Sequence, residues 1–161
     1  MNVPRSDKNL VINNEKCAGC LSCMLACTLV HEGEENLSLA RIQVIQNSFG
    51  TYPKDINIAF CRQCAKPRCI EACPTGAAYA DAANGNIRVI DTSKCNGCQK
   101  CIEACPFKPQ SVVWDSRRKV ALKCDLCLHT TFWSKQGKQA CVEVCPMKAI
   151  KVESKDVAAL S

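Results

Sequence analysis

The stretch CNGCQKCIEACP places cysteines at 95, 98, 101 and 105 and closes on Pro106. Close variants of it occur three more times. CAGCLSCMLAC carries Cys17, Cys20, Cys23 and Cys27; CRQCAKPRCIEACP carries Cys61, Cys64, Cys69 and Cys73. The last is split: CDLC, then a loop, then CVEVCP, with Cys124, Cys127, Cys141 and Cys145. All 16 cysteines belong to these runs, so none is left over as an isolated nucleophile. Two-residue gaps let a tight loop wrap three thiolates round one cubane of iron and sulfide. The fourth cysteine lies about one helical turn on, faces away, and serves the other cluster of a pair. The proline after Cys73, Cys105 and Cys145 has no N–H to donate and ends the local helix.

Other chemistries use cysteine pairs. Zinc ribbons separate two CxxC knuckles by a long loop and rarely run three cysteines at two-residue gaps. A disulfide scaffold belongs to an oxidising compartment. The N-terminal MNVPRSDKNL has no apolar h-region and no twin arginine, and no window is apolar enough for a membrane span. The expectation is a cytoplasmic chain without direct membrane insertion. A radical enzyme would leave one iron unligated and use a three-cysteine motif; each motif here has four. The spacing therefore calls for four [4Fe–4S] clusters.

The formal charge is +6, from 21 basic and 15 acidic residues. Sixteen thiolates and four cluster cores of about +2 each would bring the loaded chain to roughly −2. The excess Lys and Arg then serve as counter-charge, and a nucleic-acid partner is not expected. Only 5% of the chain is aromatic, so metal centres must supply much of the stapling that a thin core cannot.

The intervening text predicts short elements. LVIN, ARIQVIQ, INIAF, NIRVID and AIKVES read as strands, and SVVWDS with KVALKC as a hairpin turning at Arg117, Arg118 and Lys119. Asn84-Gly85-Asn86 is a turn signal. Short helices are expected between the third and fourth cysteine of each motif. The first motif has Thr28 in place of proline, so its helix runs on, with Leu21, Leu25 and Leu29 packing under the cluster layer and Gly33 as the stop. The class is α+β: two ferredoxin-like dicluster modules, one inserted in the other. Residues 1–57 plus 110–161 form the outer module and 58–109 the inner.

The order of the four motifs, the C-x2-C-x4-C-x3-C-P second motif and the final CDLC…ACVEVCP…AI resemble the four-cluster ferredoxin-type electron-transfer subunits. These are small iron–sulfur partners of molybdenum or tungsten oxidoreductases and of some hydrogenase and formate-lyase systems. The resemblance runs from Val11 to Val152 and is strongest to the small subunit of tungsten-dependent aldehyde oxidoreductase complexes. It implies cluster A on Cys17, Cys20, Cys23 and Cys145, and cluster B on Cys27, Cys124, Cys127 and Cys141. It implies cluster C on Cys61, Cys64, Cys69 and Cys105, and cluster D on Cys73, Cys95, Cys98 and Cys101. It also implies a tungsten- or molybdenum-pterin catalytic subunit as partner, with a flavin- or NAD-linked acceptor subunit.

Such a chain passes single electrons and has no catalytic residue of its own. No G-x-G-x-x-G or G-x-x-x-x-G-K-[ST] fingerprint is present. A free polyferredoxin and a zinc-stabilised scaffold are the competing readings; the basic balance favours a fixed subunit over a carrier that docks electrostatically. A wire has two ends, so end-to-end self-association is expected. His129 reads as a polar loop residue, Trp114 as core, and Tyr79 and Phe107 as shields over clusters. Phe132 and Trp133, in the loop between Cys127 and Cys141, read either as a docking anchor or as a lid on cluster B.

The interleaved grouping has a direct consequence. Cys145→Ala is expected to damage the cluster held otherwise by Cys17, Cys20 and Cys23. Loss confined to the Cys124–Cys127 cluster, followed by EPR, would contradict the grouping.

Overall fold

A computed structural model describes residues 3–52, 54–131 and 133–154. Phe132 lies outside them. Eight short strands pair as four separate antiparallel ribbons. β1 (Lys8–Ile12) pairs with β8 (Ile150–Ser154), bringing the two ends of the described chain side by side. β2 (Ile42–Gln46) pairs with β3 (Ile56–Phe60), β4 (Ala78–Asp81) with β5 (Ile87–Ile90), and β6 (Val112–Asp115) with β7 (Val120–Lys123). No ribbon can stand alone in water at this size. Each buries one face against its neighbours: Leu10, Ile42, Ile58, Val89 and Ile150 meet in one core.

The expected strands are present. β4 was not expected, because AYAD is only four residues long and carries little β-branched bulk. It places Tyr79 half-buried against the main core, beside Ile90, Lys123 and Asp125. β3 runs across the 57/58 position expected to divide the modules.

Four helices occupy the expected places: α1 (Ser22–Glu32), α2 (Arg68–Glu71), α3 (Lys100–Glu103) and α5 (Ala140–Glu143); a further turn of helix, α4 (Trp133–Gln136), lies in the segment expected to be a loop. α1 stops at Gly33, whose left-handed φ of 71° turns its N–H onto the carbonyl of Leu29 at 3.1 Å. Its buried face differs from the leucine row. Cys23, Met24, Cys27 and Thr28 point inward, whereas Leu25 and Leu29 are exposed. At 100° per residue the two rows lie on opposite sides of the helix, and the cysteines take the inner one.

α1 is tied to the fourth motif through charge. The Asp125 carboxylate, 2% exposed, accepts from His31 Nε2 at 2.9 Å, from Arg41 at 3.3 Å and from His129 Nδ1 at 3.0 Å. Burial opposes its ionisation, but His31 and Arg41 hold it well below the usual carboxylate range. Burial likewise opposes charge on His31, and the hydrogen bond to Asp125 overrides it, raising the imidazole to about 9. Arg41 also reaches Glu32, and Glu32 meets Arg118 of the turn between β6 and β7.

Removing the centre of a buried charge network leaves its cations uncompensated, at a cost of about 3 kcal/mol. Asp125→Asn is therefore expected to speed bleaching of the loaded protein in guanidinium at least roughly tenfold. Arg117→Ala, which removes only the exposed pair with Glu34, is expected to leave the rate unchanged.

Candidate metal centres

Each CxxC loop is built on a residue in the left-handed region just before its second cysteine. These are Gly19 (φ 66°), Gln63 (47°), Gly97 (73°) and Leu126 (54°). In the first and third motifs Leu21 (60°) and Gln99 (59°) repeat the turn after that cysteine. Such turns direct successive amides toward one centre, the arrangement that receives anions. For Gln63 and Leu126 the conformation costs about 1–2 kcal/mol that glycine would not incur, so the loop geometry is held by what surrounds it.

Backbone amides point at the sulfurs. Gly19 N donates to Cys17 Sγ at 3.5 Å and Gln63 N to Cys61 Sγ at 3.4 Å. The four cysteines that end each motif are met from elsewhere in sequence. Arg41 N donates to Cys27 at 3.3 Å, Ala78 N to Cys73 at 3.4 Å, Ser111 N to Cys105 at 3.5 Å and Ala149 N to Cys145 at 3.4 Å. Each donor lies at or just before the start of a following strand, so the ribbons serve to aim amides at thiolates.

The folding brings the cysteines together in groups. Cys17, Cys20, Cys23 and Cys145 line one hollow with Leu21, Val44 and Ile150 (group A). Cys27, Cys124, Cys127 and Cys141 line a second with His31 and Arg41 (group B). Cys61, Cys64, Cys69 and Cys105 line a third with Lys123, and Phe107 closes its rim under Arg62 (group C). Cys101 senses the charges of Cys95 and Cys73, and Cys98 lies exposed on the same loop (group D).

The groups stand in file. Cys141 of B senses Cys23 of A; Cys124 of B senses Cys61 of C; Cys101 of D senses Cys69 of C. Burial first, and then neighbouring thiolates, push Cys23 up to about 12 and Cys101 to about 11. Cys124 and Cys141 rise well above a normal thiol, chiefly through burial. Thiols in this state bind metal only by releasing protons, so a loaded centre must supply the energy that burial withholds. Cys20 goes the other way, lowered by hydrogen bonds from Ser22.

The residues fit iron–sulfur clusters better than single ions. Four thiolates at about 2.3 Å from one zinc stand about 3.8 Å apart. Among the described residues no three Cys, His, Asp or Glu side chains form a group able to hold a single metal ion. The Nε of Arg41, which borders hollow B, is buried with no acceptor, as a donor awaiting a sulfide would be. None of the cysteines is in a disulfide.

Lys123 and Arg88 were not singled out in the sequence. Lys123 Nζ donates to Cys69 Sγ at 3.4 Å, and the charges of Cys61 and Cys69 overcome its burial and raise its pKa. The only signal was a lysine closing the otherwise apolar run of β7, all four residues of which are buried. Trp114 is half-buried, its ring set against the loop at Gly97. His129 is half-exposed and bonds Asp125, not a thiol group. Trp133 borders a surface groove with Asp7, Leu126 and Gln139.

The family described as 4Fe-4S dicluster domain matches residues 55–155, and a second family of the same description matches residues 9–74. The protein NrfC of Escherichia coli (strain K12) is 38% identical over 147 residues, 88% of this chain and 62% of that protein. The chain thus spans less than two thirds of that relative's length. The thiosulfate reductase electron transfer subunit PhsB of Salmonella typhi is 34% identical, over 91% of this chain and 76% of its own. Among solved structures, a chain of the active-site complex BamBC of benzoyl coenzyme A reductase shares the fold. Its TM-score is 0.53 at 19% identity, covering 94% of this chain and 81% of the other.

A methyl group at Gly97 would lie 2.5 Å from the backbone oxygen of Lys119 at a left-handed φ. Gly97→Ala is expected to lower iron per chain by about a quarter, with one reducible centre lost. Gly76→Ala has the same left-handed φ but open space, and is expected to keep its iron at a cost of about 1 kcal/mol.

Proposed function

The chain belongs to the 4Fe-4S dicluster ferredoxin-type family, and on that premise we propose that it is the electron-transfer subunit of an oxidoreductase complex. Two dicluster domains and sixteen cysteines are consistent with four [4Fe–4S] clusters. When bound, a [4Fe–4S] cluster held by four thiolates supplies one-electron transfer with no open coordination site. Groups A, B, C and D hold the four clusters, each completed by a cysteine from another motif. The single observation that carries this reading is the file of four thiol groups, each next to the one before.

The chain's own residues do three things in this role. They fix the groups as neighbours for electrons to pass between, through Cys23 and Cys141, Cys124 and Cys61, and Cys69 and Cys101. They exclude water, as at hollow A with its lining of Leu21, Val44 and Ile150. They donate amides to sulfur, which tunes potential. The two exposed cysteines, Cys20 and Cys98, sit in the groups at the two ends of the file, where electrons enter and leave.

The outer module comprises residues 1–57 and 110–161, and the inner 58–109. This division is supported by the β1–β8 pairing and by Cys145 lying with Cys17. The catalytic partner is a tungsten- or molybdenum-pterin subunit of aldehyde oxidoreductase type. Support comes from the motif resemblance and from likeness to subunits of reductase complexes. Electrons pass on to a flavin- or NAD-linked acceptor or, end to end, to a second copy. No helix among the described residues is long and apolar enough to cross a membrane.

Metal analysis of the complex, isolated anaerobically through a tag on this chain, tests the reading. About 16 iron per copy with tungsten or molybdenum in a co-purifying large chain is expected. Iron with nickel would move it to a hydrogenase system. Iron alone, with no partner, would make it a free polyferredoxin.

A further inference from the structure

Arg88 and Lys123 are the two lysine or arginine residues buried below a tenth exposure among the described residues, at 0% and 7%. Both face the same thiol group. Lys123 Nζ lies 3.4 Å from Cys69 Sγ and borders the hollow of Cys61, Cys64, Cys69 and Cys105. The Arg88 guanidinium donates to the carbonyls of Cys64 at 3.0 Å, Pro4 at 2.7 Å and Asn86. These acceptors are neutral, and no carboxylate pairs with either cation among the described residues.

The other groups differ. In group B the charge of Arg41 is answered by Asp125 and Glu32, and that of His31 by Asp125. Hollow A has an apolar lining. Neither it nor group D has a buried lysine or arginine comparable to Lys123. An ammonium held out of water with no carboxylate costs several kcal/mol in general. An apolar residue would serve the packing of β7 at less cost. The charge that answers it must therefore come from the sulfur centre itself.

We propose that Lys123, with Arg88 behind it, sets the redox order of the file: their uncompensated positive charge makes the centre at Cys61, Cys64, Cys69 and Cys105 the most oxidising of the four. Lys123 offsets the unit of negative charge gained there when an electron arrives. That electron comes from the neighbouring reduced [4Fe–4S] centre, which is oxidised by one unit; no bond and no proton changes hands. Lys123 also adjoins Cys124 of group B in sequence, and Gln63 links the two groups, donating to the carbonyl of Cys124 at 3.2 Å and accepting from Arg88 N at 2.7 Å. Electrons from either end of the file come to rest at this inner position.

The inference rests on the ligand grouping proposed above. Its test is an EPR-monitored redox titration of the full chain, loaded anaerobically, as wild type, Lys123→Met and Lys123→Arg. With iron content unchanged, Lys123→Met is expected to lower the highest of the four potentials by at least a tenfold change in the reduction equilibrium, 59 mV for one electron. The other three should hold, and Lys123→Arg should restore the first. Four unchanged potentials at full iron content overturn the role of Lys123. Failure of the wild type to take up four clusters overturns the grouping instead. Should Lys123→Met not load, Cys105→Ser decides: a serine ligand lowers the potential of its own cluster. Loss of the first-reduced signal supports the assignment, and its persistence overturns it.

Discussion

Sixteen thiolates held inside one small chain repel one another and lose solvation, and the rest of the structure is arranged to offset that cost. Burial and mutual repulsion push Cys23, Cys101, Cys124, Cys127 and Cys141 far above a normal thiol. Metal is what makes such groups worth burying, because binding and folding then become one free energy. The scaffold contributes amides rather than apolar bulk. Left-handed turns at Gly19, Gln63, Gly97 and Leu126 shape the loops, and each ribbon delivers an N–H to a closing cysteine. Four two-stranded ribbons suffice because none has to carry a core alone.

Charge is distributed unevenly along the file. The A end is lined by leucine, valine and isoleucine. Group B holds cations and carboxylates in balance round Asp125. Group C faces Lys123 and Arg88 with no carboxylate. An electron moving along the file therefore meets different surroundings at each step, although every centre offers it the same four sulfurs. Fold alone fixes the spacing of such centres; the side chains between them fix the order in which they fill.

Much of this was legible in the sequence, because thiolate spacing is dictated by cluster geometry. The four motifs located four of the five helices, and proline marked the ends of three of them. The β6–β7 hairpin was readable from two short apolar runs joined by a basic turn. What escaped were features set by distance rather than by spacing. The Arg41, Ala78, Ser111 and Ala149 amides carry no side-chain signal. Lys123 is one lysine among many basic residues until β7 turns it inward. The leucines of α1 are spaced as a core row, but the cysteines on the opposite side take the inner face. His31, passed over as one of two histidines, holds Asp125 in place from a motif nearly a hundred positions away in the chain.

The central claim is that four centres stand in one file, each closed by a cysteine from another motif. Anomalous diffraction at the iron edge from anaerobically grown crystals of the loaded chain tests it most directly. The account predicts four compact iron sites in single file, the first touching Cys145 as well as Cys17, and the third lying against Lys123. Fewer than four sites, or Cys145 and Cys141 on one cluster, would contradict it.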